Sequence, residues 1–365
     1  MRILYITKEN PNGAFGHAAE RGRQFLLELK NNGHEVQNVF PSKGDDGGLS
    51  DHRAYSEKLI SVINSYHEKR AGYKFCRALK NLIEVGKFDF IVAEELSAAF
   101  LALKARDKHQ APICYIAHNV ESDLYIQIVG SQFIEKIRAK NLLSTEIWVL
   151  KNSDLVFSFS AEDREILKTI SGRQDILLTR AGVRWPSKAA EASKNEKVIF
   201  VGALDYFPNI QGLQWYADKI HPLIKRKYEM VVIGRNPGSL VKSICQKNNF
   251  ALIPSPSDLD SLLKQAGLEV VPLLSGSGTR GKILEAAAYG IPVISTTLGA
   301  QGLGFKDREN IILADTAEQF AAKVQIYLEE PVERTKIATA ALKYAQQFNY
   351  KSVVADFLDE LTRFK

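Results

Sequence analysis

Short apolar runs alternate with longer amphipathic segments along the chain, and this alternation constrains the fold more than any other feature. The first half contains runs typical of buried strands at 3–6, 35–40, 88–93, 113–117, 155–158 and 176–178. Helical periodicity falls between them, at 18–30, 96–105, 135–151 and 161–170. Strands that alternate with helices in this way favour a parallel sheet covered by helices on both faces.

The same order starts again after the segment 184–196, which lacks periodicity and is rich in Lys, Ala, Ser and Glu. Strands are predicted at 198–201, 230–233, 269–272, 292–295 and 311–313, and helices at 210–225, 240–247, 259–265, 282–289, 317–329, 332–348 and 350–364. A chain of 365 residues is longer than most single cores. We therefore predict an α/β protein with two Rossmann-like, doubly wound domains, 1–183 and 197–349, joined by a linker at 184–196. They are expected to face each other across a cleft where ligands bind.

Charge and cysteine content narrow the classes of partner. The chain has 48 Lys or Arg against 42 Asp or Glu, a net charge of +6, which suits an anionic ligand. Its three cysteines are widely spaced and offer neither a disulfide framework nor a zinc site, as expected in a reducing cytosol. No apolar run reaches 18 residues and the N-terminal one is too short for a signal peptide, so we expect a cytoplasmic protein. An interleaved aromatic and basic platform for nucleic acid is also missing.

The segment from Leu273 to Glu285 has the layout of an anion site. It leaves an apolar strand, passes three glycines and enters a helix, whose first turn has unpaired amide donors. Arg280 and Lys282 add positive charge to that turn, which opposes the helix dipole and is therefore better explained by a ligand than by stability. A solvated strand-to-helix turn is the alternative. Glu285 follows on an apolar helical segment, where it would accept hydrogen bonds from a ribose diol or pair with Arg280.

Two segments of the predicted first domain also follow apolar strands. His118 comes after the strand at 113–117, at an end that faces the ligand in such sheets, although a histidine satisfied by backbone groups is the alternative. Gly13 and Gly16 follow the first strand and precede a helix, so their amides could face a diphosphate or an acceptor. This last pattern is weak, because it does not have the spacing of the dinucleotide fingerprint.

Two further segments have competing interpretations. Asp258 and Asp260 could hold a metal ion, but with Ser257 as the N-cap the two carboxylates fall in the first turn of a helix, where they complement its dipole. We favour the cap. The segment 53–87 carries eight Lys or Arg against three Glu and has apolar helical faces. It fits peripheral contact with a membrane surface or, with a somewhat better account of the apolar positions, a helical pair that covers the first sheet.

The segment from Gly276 to Thr296 resembles the donor site of the family 4 retaining glycosyltransferases, which have the two-domain GT-B fold. Weaker similarity covers Phe200 to Gly202, Val232 to Arg235, the glycines near the N-terminus and residues 33–36. The resemblance implies that a nucleotide sugar binds mainly to the C-terminal domain and the acceptor mainly to the N-terminal domain. It also implies retention of configuration, no metal ion or cofactor, and a C-terminal helix at 350–365 that packs back on the N-terminal domain.

Residue by residue, the resemblance places the second glutamate of the family's pair at Glu285, in contact with the ribose. The first glutamate is replaced by Ser277, and the cations that often follow the first strand of this domain are missing after Gly202, so we assign the diphosphate charge to Arg280, Lys282 or Arg235. The family's mid-domain histidine, beside the transferred sugar, corresponds to His118. The candidate catalytic residues are His118, Arg280 and Lys282, and the candidate donor-binding residues are Gly13, Gly16, Gly202, Arg235, Ser277, Gly278, Thr279 and Glu285.

The function expected from these residues is transfer of a sugar from a nucleoside-diphosphate sugar to a saccharide or a lipid-linked saccharide. Synthesis of a bacterial surface polysaccharide or glycoconjugate is the expected setting. A nucleotide-sugar epimerase shares the two-domain architecture but needs no acceptor. A noncatalytic nucleotide-sugar binding module is the third hypothesis, motivated by Ser277 and by the missing cations after Gly202.

Overall fold

The computed structural model describes residues 1–7, 17–40, 70–107, 111–129, 133–186, 197–276 and 278–365. The chain divides into two compact units. Unit 1 consists of Met1–Ala181, Ser277–Thr279 and Val353–Lys365, and unit 2 consists of Gly182–Gly276 and Arg280–Ser352. Within the described ranges, no helix is long and apolar enough to span a membrane.

Unit 1 is built on a six-stranded parallel sheet in the order β2-β1-β3-β4-β5-β6. The strands are β1 (Arg2–Ile6), β2 (Glu35–Val39), β3 (Phe90–Glu94), β4 (Ile113–Ala117), β5 (Leu155–Ser158) and β6 (Leu177–Leu178). The helices are α1 (His17–Asn31), α2 (Arg70–Gly86), α3 (Glu95–Ala105), α4 (Glu121–Val129), α5 (Phe133–Asn152) and α6 (Ala161–Ser171). The strand order reverses between β1 and β3, which is the place where sheets of this kind bind ligands.

Both faces of the first sheet are covered by packed side chains. Successive residues of a strand point to opposite faces, so β1 contributes to both. Ile3 and Tyr5 pack with α1 and with residues 354–361 of the C-terminal helix. Leu4 and Ile6 pack on the other face with residues of α2 and α3. Leu79, Leu82 and Ile83 provide the contacts of α2, so its apolar side is used in the core.

Unit 2 is built on a second parallel sheet, in the order β12-β11-β10-β7-β8-β9. Its strands are β7 (Lys197–Val201), β8 (Met230–Gly234), β9 (Ala251–Pro254), β10 (Ala266–Val271), β11 (Val293–Ser295) and β12 (Ile312–Leu313). Its helices are α7 (Phe207–Trp215), α8 (Ser239–Asn248), α9 (Leu259–Leu263), α10 (Gly281–Ala288), α11 (Thr297–Ala300), α12 (Ala317–Glu329) and α13 (Pro331–Ala345), and α14 (Tyr350–Phe364) ends the chain. The order reverses between β7 and β10. The predicted α/β class with two doubly wound sheets is therefore confirmed.

Some predicted elements differ from the structure. The helix predicted at 210–225 begins earlier, at Phe207, and its regular part ends at Trp215, after which a π turn and a short 3-10 segment lead to Leu223. Pro222 lies in that last segment, and a proline cannot supply the amide that an α-helix would need there. The N-cap of α9 is Asp258, which accepts from the amide of Ser261 at 3.0 Å, so the prediction of Ser257 as the cap was wrong by one residue.

Candidate functional site

The carboxyl ends of β7 and β8 approach each other more closely than side chains would allow. The amide of Gly202 donates to the carbonyl of Ile233 at 3.0 Å. A Cβ atom built on Gly234 would lie 1.7 Å from the carbonyl oxygen of Gly202, so glycine is required at this position. A Cβ atom on Gly202 would in turn lie 2.9 Å from the Nζ atom of Lys282. The backbone at the end of β7 therefore borders an ammonium group directly.

Lys282 is the predicted cation that the structure places at the point of strand reversal. Its Nζ donates to Oδ1 of Asn209 at 2.7 Å and lies 4.9 Å from the ring centre of Phe200. Nδ2 of Asn209 donates to the carbonyl of Ala203 at 2.9 Å, which fixes the orientation of the amide. Burial lowers the pKa of Lys282 to about 8, with Glu269 opposing and Arg280 adding to the shift. Lys282 is therefore a cation near neutral pH whose position is fixed by Asn209. An anionic ligand would stabilise its charged form.

Glu269 is a member of this cluster that sequence reasoning missed. It lies inside β10, is 1% exposed, and its Oε1 has no hydrogen-bond partner among the described residues. Burial raises its pKa well above the usual range, and the charge of Lys282 acts in the opposite direction. The prediction had started this strand at Glu269, whereas the strand starts at Ala266. A glutamate inside the apolar run from Leu268 to Val271 was the signal that could have found it.

The loop that leads from β10 to α10 contains the remaining predicted residues of the donor segment. Gly276 and Gly278 adopt left-handed φ angles of 128° and 76°. The guanidinium of Arg280 lies against the first of these glycines, with Nη2 3.2 Å from a Cβ atom built there. Arg280 is the N-cap residue of α10 and is 9% exposed, while Thr279 is half-buried. The charges of Arg280 and Lys282 therefore lie at the N-terminus of α10, where the helix dipole also favours an anion.

Two other predicted positions, Glu285 and Arg235, lie in unit 2. Glu285 is half-buried on α10, one turn after Lys282. Arg235 directly follows β8 and is half-buried, and its carbonyl accepts from the amide of Leu204 at 2.9 Å. Ser277 lies outside the described residues, so its contribution stays a prediction, and so do those of Gly13 and Gly16 in unit 1. Within the described residues, no group of three or more His, Cys, Asp or Glu is arranged to hold a metal ion.

His118 lies in unit 1, directly after β4, and is 8% exposed. Its Nδ1 lies 2.8 Å from Nη2 of Arg21 and 3.4 Å from Oε1 of Glu95, and its ring stacks on Phe159 with 5.0 Å between ring centres. Nη2 of Arg21 also lies 3.7 Å from Oε2 of Glu94 and 4.0 Å from Oε1 of Glu95. Burial, followed by the charge of Arg21, lowers the pKa of His118, whereas the two glutamates raise it.

The charged neighbours of His118 were missed by sequence reasoning. Glu94 ends β3 and Glu95 starts α3, and both are brought to His118 because β3 and β4 are adjacent parallel strands. Glu95 has a φ angle of 69°, which is uncommon for a residue with a side chain. Strained backbone of this kind clusters at functional sites. The Glu94-Glu95 pair after an apolar strand was the available signal.

Two family models match the chain. Residues 195–330 match the model described as Glycosyl transferases group 1, and residues 23–179 match the model described as Glycosyltransferase Family 4. The two matches fall in units 2 and 1, respectively, and together leave only short segments unmatched. The chain therefore belongs to the group 1 glycosyltransferases with the GT-B fold, as the resemblance in the donor segment predicted.

The individual proteins that resemble this chain have low sequence identity to it or match only part of it. An uncharacterized 44.6 kDa protein in the cps region of Klebsiella pneumoniae is 30% identical over 169 residues, which is 43% of this chain and 43% of that protein. The chain thus aligns with less than half the length of this relative. A sucrose-phosphate synthase from Thermosynechococcus elongatus has a TM-score of 0.77 at 17% identity and covers 99% of this chain and 98% of its own.

Two further solved structures have the same fold. HepE from Anabaena, in complex with UDP and glucose, has a TM-score of 0.68 at 15% identity, with all of both chains covered. The pneumococcal O-GlcNAc transferase GtfA, in complex with UDP and GlcNAc, has a TM-score of 0.71 at 11% identity and covers 100% of this chain and 99% of its own. At these identities the likeness shows the shared fold.

Proposed function

We propose that this protein transfers a sugar from a nucleoside-diphosphate sugar to a saccharide or a lipid-linked saccharide, with retention of configuration. The observation that carries the proposal is the half-buried Lys282 ammonium, held by Asn209 against the backbone of Gly202 at the point of strand reversal in unit 2. Family membership and the UDP complexes of two structural neighbours support it. The relative from the cps region supports a role in bacterial surface polysaccharide or glycoconjugate synthesis.

In the proposed mechanism, the charge on the leaving diphosphate is stabilised by Lys282, Arg280 and the first amides of α10. Arg235 adds positive charge, and Glu285 accepts hydrogen bonds from the ribose diol. His118 contacts the transferred sugar. The bond from the anomeric carbon to the diphosphate oxygen breaks while the acceptor hydroxyl attacks from the same face, and the diphosphate takes up the proton. The proposal includes no protein nucleophile, cofactor or metal ion.

We further propose a cytoplasmic location with peripheral contact at the inner face of the membrane. Because the apolar side of α2 packs in the core of unit 1, the described part of the segment 53–87 would make this contact through its exposed basic residues Arg77, Lys80 and Lys87. Residues 53–69 lie outside the described part of the chain.

A screen of the purified full chain tests the function. Thermal shift with UDP-, GDP- and dTDP-sugars should raise the unfolding temperature with one donor, because only the native state binds it. Mass spectrometry of the products with saccharide acceptors should then show a mass increase of one sugar. Conversion of the donor to an epimer without acceptor would make the protein an epimerase, and donor binding with no turnover on acceptor or water would make it a binding module.

A further inference from the structure

The side chains around His118 decide which of its two ring nitrogens carries a proton. In the described part of unit 1 the charged groups that face the ring are Arg21 from α1 and the carboxyls of Glu94, at the end of β3, and Glu95, at the start of α3. Phe159, which follows β5, stacks on the ring and contributes no hydrogen bond. The protonation of His118 therefore depends on one cation and two carboxyls.

Nδ1 of His118 has two competing neighbours. Nη2 of Arg21 lies 2.8 Å away, within hydrogen-bond distance, and a guanidinium can only donate. Nδ1 must then accept this hydrogen bond through its lone pair and cannot carry a proton. Oε1 of Glu95 would favour a proton on the same nitrogen, but it lies farther away, at 3.4 Å. The shorter contact determines the state of Nδ1.

The proton of a neutral imidazole must then be on Nε2. This atom is buried and has no hydrogen-bond partner among the described residues. Oε2 of Glu94 is 4.0 Å from Nε2, which is too long for a hydrogen bond. A buried N–H group without a partner is costly and rare in folded proteins. Such a donor is satisfied when a ligand brings an oxygen to it.

We propose that Arg21 is a positioning residue that fixes His118 as the neutral tautomer with its proton on Nε2, so that His118 donates a hydrogen bond to a sugar oxygen and does not act as a base. The ligand class follows from the donor, since sugar hydroxyl and ring oxygens accept hydrogen bonds. The role in transfer rests on the proposed function, whereas the tautomer of the ligand-free protein does not.

Nitrogen NMR of the full chain labelled with ¹⁵N-histidine tests the tautomer directly. His118→Gln identifies the signals of this residue by their loss. At pH 8 we expect Nδ1 of His118 in the range of an unprotonated ring nitrogen and Nε2 in the range of a protonated one. A proton on Nδ1 overturns the proposal, and this measurement needs only the wild-type protein once the signals are assigned.

Arg21→Met tests whether Arg21 is the cause. Without the guanidinium, Glu95 is left as the neighbour of Nδ1, so the tautomer with a proton on Nδ1 should grow and the pKa of His118 should rise. Arg21→Lys, which keeps a cation that can only donate, should preserve the wild-type tautomer and is the second variant if the first does not fold. An unchanged tautomer in folded Arg21→Met overturns the role of Arg21.

Transfer kinetics separate a donor from a base. The side-chain amide of His118→Gln can donate a hydrogen bond but cannot act as a base at neutral pH, so this variant should keep kcat/KM within about tenfold. His118→Leu should lower it by about 10²-fold. An equally large loss in both variants would contradict the donor role. If no donor is turned over by the wild type, the proposed function fails, while the NMR experiment still decides the tautomer.

Discussion

A glutamate carboxyl is almost completely buried in each unit, and the two differ in what surrounds them. Glu146 on α5 of unit 1 is 0% exposed, and it accepts from the amide of Glu121 at 2.7 Å and from the amide and hydroxyl of Ser122 at 3.2 and 2.6 Å. Glu269 in unit 2 is 1% exposed, and its Oε1 accepts no hydrogen bond from the described residues. Burial raises the pKa of both groups.

The difference separates a structural carboxylate from one in a candidate site. Glu146 satisfies the first amides of α4, which are the groups that a helix leaves unpaired, so it caps that helix from a neighbouring one. Glu269 satisfies no such group, and the charge of Lys282 opposes the rise of its pKa. A buried carboxyl without a hydrogen-bond partner destabilises the fold. In unit 2 the Glu269 carboxyl is nevertheless present near Lys282, the cation that we assign to the diphosphate, as is typical of functional sites.

The largest effect is expected for Glu146→Ala. The substitution removes three hydrogen bonds and leaves two amides and a hydroxyl buried without a partner, which should lower the free energy of unfolding by about 3 kcal/mol or more. Urea denaturation measures this change. Glu162→Ala, on the exposed side of α6, is the control and should change stability by about 0.5 kcal/mol or less. A loss as small as that of the control would remove the structural role of Glu146.

Lys282→Met should act on activity. Removal of the cation should lower kcat/KM for transfer by about 10²- to 10³-fold, as expected when one preorganised donor to a developing charge is lost. Lys242→Met, at an exposed position on α8, is the matched control and should leave the kinetics unchanged. Circular dichroism checks the fold of both variants. A change of less than threefold at Lys282 would contradict its assignment to the diphosphate.

Glu269→Gln should stabilise unit 2, with a defined pH dependence. The pKa of Glu269 is higher in the folded protein than in the unfolded chain. The stability that this group contributes is therefore fully present below the unfolded pKa, and it is lost as the pH rises through the folded pKa. The free energy of unfolding of the variant should therefore exceed that of the wild type by about 1–2 kcal/mol at pH 8 and by less at pH 5. The attraction of Lys282 limits the gain.

Urea denaturation of both proteins at the two pH values measures the difference. Glu329→Gln, at an exposed position on α12, should show the same stability as the wild type at both values. A difference between Glu269→Gln and wild type that does not change with pH would show that the Glu269 carboxyl does not titrate as its burial requires.

The elements of the fold were largely predictable, because periodicity is a local property. The strand at 113–117 and the helix at 317–329 have the predicted bounds. The edge strand β9 and the helix α4 were not predicted. Residues 251–254 form a short strand without a buried residue, so they lack the apolar signal of an inner strand.

The candidate site was predictable only in part, because its contacts join distant parts of the chain. Glycines and cations between a strand and a helix drew attention to Lys282 from local sequence alone. Its partner Asn209 is 73 residues away, and Arg21 is 97 residues away from His118. The order of the strands in the sheet brings these groups together. The sequence pattern of a single strand does not reveal that order.

Ser122→Ala, which removes one of the three hydrogen bonds to Glu146, should have a smaller effect than Glu146→Ala and sharpens the account of Glu146. The hydroxyl of Ser122 donates to the carboxyl of Glu146 and lowers the pKa of that group. Removal of the hydroxyl should therefore raise the pKa of Glu146 further. The cost should be about 1–2 kcal/mol at pH 8, because the hydrogen bond from the hydroxyl to the charged form of the carboxyl is charge-assisted. It should be smaller at pH 4, because protonation of Glu146 weakens the hydrogen bond. Urea denaturation at the two pH values measures both costs. An equal cost at pH 8 and pH 4 would mean that Glu146 is already protonated at pH 8. Glu146 would then resemble Glu269 more closely than the different surroundings of the two carboxyls indicate.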